Sequence, residues 1–116
     1  MHKVLVVEDE TLIRELAAED FADAGFEVTT ACCGDEALAI IQGGSSFELL
    51  FTDIRMPGDL DGWGLAREAR RLLPELRVIY ASGYDDTHNQ LADEGFVRKP
   101  YIFAEVTTLL EGFGLA

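Results

Sequence analysis

Basic residues are scarce. Across 116 residues, nine Lys and Arg face 22 Asp and Glu, for a formal charge of −13. Binding of nucleic acid depends on neutralising phosphates with Lys and Arg, so direct contact with DNA or RNA is not expected. The acidity suits a cation site, or simply a solvated surface. Cysteine is limited to the adjacent pair Cys32 and Cys33, which cannot staple distant segments. That excludes a disulfide framework and a four-ligand zinc site. No apolar run reaches the roughly 20 residues of a bilayer span, so no membrane partner is expected. The opening Met1-His2-Lys3-Val4 runs straight into a strand and lacks the plan of a signal peptide. The expected compartment is the cytoplasm.

What is present is a core. Hydrophobic residues make up 48% of the chain, enough for one domain over residues 1–116 without metal or disulfide support. No linker, repeat or low-complexity tract interrupts it, and no attached output domain is expected. Lys3 to Val7 reads as a buried strand that runs into Glu8-Asp9-Glu10. Thr11 to Ala24 turns helical, with Ile13, Leu16, Ala17, Phe21 and Ala24 on one stripe. Phe26 to Ala31 is a second strand. Gly34-Asp35 opens a second helix with Ala37, Leu38 and Ile41 inward, and Gly43 to Ser46 forms a loop. Leu49 to Thr52 is a short buried strand ending at Asp53. Leu65, Ala69, Leu72 and Leu73 mark a third helix, stopped at Pro74. Arg77 to Ala81 is a fourth strand, closing at Ser82-Gly83. Asp85 to Glu94 has room only for a short fourth helix. Gly95 to Arg98 is a fifth strand before Lys99-Pro100. Phe103, Val106, Leu109, Leu110 and Phe113 give a final amphipathic helix. Near-continuous apolar strands alternating with helices imply a doubly wound α/β fold around a parallel sheet.

An Asp after a strand is most often a cap or turn residue, so Asp53 alone decides nothing. Its company does. In a parallel sheet the carboxyl ends of all strands share one edge, where open α/β sheets bind ligands. Glu8 and Asp9, Asp53, Ser82 and Lys99 all follow or end strands and should meet there. Clustered carboxylates repel one another and call for a cation. All-oxygen ligation favours a hard ion, Mg2+ before Ca2+. Lys99 adds a mobile positive charge for an anion beside that ion, and Ser82 adds one hydroxyl donor. The set suits a phosphoryl group facing Asp53, since carboxylates form aspartyl-phosphates.

Four pieces of the chain now resemble the response-regulator receiver family: Val6-Val7-Glu8-Asp9-Glu10, Thr52 to Gly58, Tyr80 to Gly83, and Phe96 to Tyr101. Each is weak alone; four in this order, at suitable spacing, are strong, and the resemblance runs over essentially the full length. The resemblance implies a flavodoxin-like (βα)5 fold with strand order 2-1-3-4-5. It implies phosphorylation of Asp53 by a sensor histidine kinase or a histidine phosphotransfer protein. It implies Mg2+ held by Asp9, Asp53 and the Arg55 carbonyl, with Glu8 acting through water. Ser82 and Phe96 would form a switch pair, and Lys99-Pro100 a cis bond. The family works as a phosphorylation-controlled module rather than a metabolic enzyme.

Two departures stand out. The turn from Pro57 to Gly62 is long, and Ser82 lies several residues closer to Lys99 than is usual, so the fourth helix must be shortened. Haloacid-dehalogenase-like phosphohydrolases also form an aspartyl-phosphate, but they carry a second Asp two positions on. Arg55 stands there and cannot serve as acid–base. A scaffold without phosphorylation fits poorly with the intact acid, hydroxyl and lysine set. A nucleotide-binding domain would need a Gly-rich loop after the first strand. Arg55 and Tyr84 either tune phosphate lifetime or cover the pocket. Trp63, His2, His88, Cys32 and Cys33 read as packing or surface residues.

Overall fold

The described elements follow the chain as β1 (Lys3–Val7), α1 (Thr11–Asp23), β2 (Glu27–Ala31), α2 (Gly34–Gln42), β3 (Leu49–Asp53), α3 (Gly62–Leu72), β4 (Arg77–Ser82), β5 (Gly95–Arg98) and α4 (Phe103–Phe113). The computed structural model describes residues 2–83 and 93–116. The five strands are parallel in the order β2-β1-β3-β4-β5. This is the doubly wound, flavodoxin-like arrangement. Most of the fourth helix expected over Asp85–Glu94 lies outside the described residues. Of that span Asp93 and Glu94 are described, and neither is helical. Tyr84 and His88 also lie outside.

The strands are apolar because both faces of the sheet are covered. On one face Leu5, Leu50, Val78 and Tyr80 pack with Ala37 and Ile41 of α2 and Leu65 and Ala69 of α3. On the other, Val4, Phe51 and Ile79 pack with Ala17 and Phe21 of α1 and Val106 and Leu110 of α4. Phe21 anchors that second half, meeting Phe26, Phe51 and Phe103 edge-on at 5.0–5.4 Å between ring centroids. Edge-to-face pairs stabilise beyond the area that they bury.

Three helical stripes are narrower than their sequence pattern. In α1, Leu16 is 54% exposed and Ala24 is exposed, while Ala17 and Phe21 carry the contact. Leu16 lies one step round the helix from Ala17, beyond what the sheet covers. In α2, Leu38 is half-buried beside the buried Ala37 and Ile41. In α3, Leu72 is 49% exposed because the helix ends there and the chain turns at Leu73. Among the described residues no helix is long and apolar enough to cross a membrane.

The long turn after β3 is docked, not loose. Gly58 takes φ +104°, which only glycine adopts without strain. Asp59 then donates its N–H to Asp35 Oδ2 at 3.3 Å, tying the turn to the first residues of α2.

Candidate functional site

Strand register assembles the site. Val7 pairs with Thr52, Asp53 with Ala81, and Ser82 with Arg98. Glu8, Asp53, Ser82 and Lys99 thus lie at, or one residue beyond, a paired position on the same edge, and Asp9 lies two residues beyond Val7. The ladder continues past the strands: Glu8 N–H donates to Ala31 O and Lys99 N–H to Ser82 O. Lys99 therefore leaves β5 at the level of Ser82. The Lys99–Pro100 peptide is cis, as the resemblance implied.

Glu8, Asp9 and Asp53 each offer a carboxylate oxygen, and these oxygens lie within 4.8 Å of one another. Their surroundings differ. The Glu8 side chain is 6% exposed and that of Asp53 12%, whereas Asp9 is open to solvent. Lys99 Nζ bridges the two enclosed acids, donating to Glu8 Oε1 at 2.5 Å and to Asp53 Oδ2 at 3.1 Å. Burial pushes the Glu8 carboxyl above its ordinary value, against the opposing pull of Lys99 and of the Glu10 N–H. Burial works against the Lys99 charge, but the bond to Glu8 and the charge of Asp53 outweigh it and hold the ammonium above its usual range. Buried carboxylates that crowd together need compensating charge. Three oxygens at this spacing, one acid open to solvent, fit a hard cation that keeps several waters.

The remaining atoms orient the acids. Ile54 N–H donates to Asp53 Oδ1 at 2.8 Å, and Glu10 N–H to Glu8 Oε2 at 3.1 Å. Ser82 is buried at the end of β4. Phe96 is half-buried, packs in the same core half as Trp63 and Tyr80, and is the register partner of Tyr80. Arg55 is exposed beyond Asp53. Trp63 packs on Tyr80, His2 lies at the surface beside Phe26 and Glu48, and the cysteines are exposed and half-buried.

The chain from 4 to 111 matches the family model described as "Response regulator receiver domain". The chain belongs to this family. Solved receivers superpose closely. A response regulator receiver protein from Sinorhizobium medicae WSM419 gives a TM-score of 0.90 at 29% identity, covering 97% of this chain and 93% of that one. The response regulator protein TrrA from Thermotoga maritima, solved in complex with Mg2+ and BeF, gives 0.85 at 33% identity, with 97% and 99% covered. The sensor kinase CckA of Brucella abortus is 33% identical over 93% of this receiver. The receiver spans 12% of the length of CckA, and 41% of that of a second curated relative, the probable transcriptional regulator ycf27 of Cyanidium caldarium.

Two residues of this receiver site escaped the sequence reading. Arg14 of α1 donates through Nη1 to the Glu8 carbonyl at 2.8 Å, bracing the acid-bearing turn. Gly62 begins α3 directly against β3: its N–H donates to Ile54 O at 2.7 Å, and a Cβ there would lie 2.3 Å from Asp53 O. The sequence hint was Asp61, which caps α3 by accepting from Gly64 N–H at 2.8 Å.

Proposed function

We propose that residues 1–116 act as one phosphoacceptor unit in a two-component phosphorelay, with Asp53 the residue phosphorylated and Mg2+ the required ion. The observation that carries this reading is the convergence of Glu8, Asp9 and Asp53 around the Lys99 ammonium. In this reading the chain is a switchable binding module whose chemistry is limited to its own phosphorylation and slow hydrolysis.

The Asp53 carboxylate attacks the phosphorus of a phosphohistidine. As the new P–O bond forms, the P–N bond breaks, and the electron pair leaves with the imidazole. The Ile54 N–H that holds Asp53 Oδ1 fixes the attacking group, which is the main contribution a protein makes to a loose, in-line transfer. Asp9, Asp53 and the Arg55 carbonyl, with Glu8 through water, would hold Mg2+, which would supply charge compensation for the acids and the incoming phosphoryl group. Lys99 turns from the acids to the new phosphoryl oxygens, a charge-assisted contact that fixes their position. Ser82 donates its hydroxyl to the same group, and Phe96 follows Ser82 to change the outer surface.

The donor is a sensor histidine kinase or a histidine phosphotransfer protein, which must bring its histidine over the rim of this edge. That rim is apolar on one side. A groove of about 420 Å³ between Ile13 and Leu16 of α1 and Pro100 and Tyr101 shares Lys99 with the site. Leu12, one residue before Ile13, and Ile102, one after Tyr101, are both 68% exposed.

The test is an amide map. Adding beryllofluoride and Mg2+ should shift the resonances of Asp53, Ile54, Ser82 and Lys99 together. Shifts that appear equally without Mg2+, or that miss this set, contradict the reading.

A further inference from the structure

Glu94, the residue before β5, is buried although it carries a carboxylate; its side chain is 1% exposed. Tyr80 of β4 donates its hydroxyl to Glu94 Oε2 at 3.0 Å. Arg70 of α3 brings Nε to 3.7 Å from the same oxygen and donates through Nη2 to Asp93 Oδ2 at 3.1 Å. A carboxylate removed from water is costly unless paired and hydrogen-bonded. Here the partners come from α3 and β4, so satisfying Glu94 ties the entry of β5 to both elements. Burial, and then the charge of Glu94, push the Tyr80 hydroxyl far above its ordinary value, so it remains a donor.

The Tyr80 ring is held from another side as well. The indole of Trp63, the second residue of α3, lies against it at 4.2 Å between centroids. Tyr80 is the register partner of Phe96, so the two side chains share one face of the sheet, with Ser82 two residues further along that face. The ring expected to answer phosphorylation thus has a clamped neighbour, and the strand that carries it is anchored two residues upstream.

We propose that Glu94 is a positioning residue whose buried contacts with Tyr80 and Arg70 latch β5 and Phe96 in the resting arrangement, and so set the threshold at which the domain responds to phosphorylation. This rests on the reading above, in which Phe96 answers the modification of Asp53. A ligand shifts a two-state equilibrium only by its differential affinity for the two states. Weakening contacts that belong to the resting state alone therefore lowers the ligand concentration needed to leave it. The contacts of Glu94 and Tyr80 described above lie with Arg70 and Trp63 and not with the acids, so binding of Mg2+ by itself should not change.

The chain contains a single tryptophan, Trp63, and its emission reports on the latch. Beryllofluoride is titrated at saturating Mg2+ into wild type, Tyr80→Phe and Glu94→Gln, while Trp63 emission and the Phe96 ring resonances are followed. Tyr80→Phe keeps the ring and removes one bond; its midpoint should fall at least about threefold. Glu94→Gln also removes the charge facing Arg70 and should fall further, with the Mg2+ midpoint unchanged in both. If Glu94→Gln does not fold, Tyr80→Phe decides. Midpoints at or above the wild-type value, in a wild type whose Phe96 responds, overturn the latch alone. A wild type whose Phe96 does not respond overturns the latch together with the switch reading.

Discussion

The Lys99 ammonium lies between Glu8 and Asp53, 2.5 Å from one carboxylate and 3.1 Å from the other. At rest the receiver therefore already holds an internal cation where its enclosed acids meet. Removing one partner of a buried pair leaves the other charge uncompensated, at a cost of about 3 kcal/mol or more when fully enclosed. Lys99 is one-fifth exposed, so Lys99→Ala should lose less than that, about 1–2 kcal/mol. Mg2+ can replace the missing charge, and a ligand that binds only the folded state stabilises it by mass action. Urea unfolding should show a larger gain from Mg2+ in the variant than in wild type. An identical gain would mean that Lys99 does not balance the acids.

Gly62→Ala tests the seating of α3 on β3. The added Cβ meets backbone, at 2.3 Å from Asp53 O and 2.7 Å from Ile54 Cα, and no rotamer change relieves that. Overpacking of this kind costs roughly 1–3 kcal/mol, and here the strain falls on the backbone of Asp53, the proposed acceptor. Denaturant midpoints should drop, and acetyl phosphate should label the folded variant more slowly than wild type. Wild-type stability with wild-type labelling would contradict the role given to this contact.

The sheet was legible because four of its strands are apolar runs closed by polar residues, a pattern set by burial on both faces. That Glu8, Asp9, Asp53, Ser82 and Lys99 lie along one edge was legible for a related reason: strand ends of a parallel sheet share an edge whatever the helices do. The role of Gly62 was not legible, because it depends on how closely α3 approaches the end of β3. Nor was the burial of Glu94, whose partners Tyr80 and Arg70 come from other elements. The inward face of α1 was overdrawn. Its sequence offers Leu12, Ile13 and Leu16 as well as Ala17 and Phe21, and periodicity alone does not say which of these the sheet covers.

The uncovered part of that face gives the third prediction. Leu16→Glu places a further charge in the groove beside Lys99 and Asp20 and leaves the buried Ala17 and Phe21 themselves unchanged. Surface changes away from special features usually alter stability by about 0.5 kcal/mol or less. Phosphotransfer from a phosphorylated histidine domain should slow at least about tenfold, as expected when charge enters an apolar contact, while labelling by acetyl phosphate stays at the wild-type rate. Equal slowing with both donors would place the effect in the site and not in docking.

The most direct measurement of the central claim is intact mass after incubation with acetyl phosphate. Wild type with Mg2+ should gain the mass of one phosphoryl group, lose it on exposure to hydroxylamine as an acyl phosphate does, and gain nothing in chelator; Asp53→Asn should gain nothing under any of these conditions. A phosphoryl group retained by Asp53→Asn, or acquired equally well without a divalent cation, would contradict the assignment of Asp53 and of its metal.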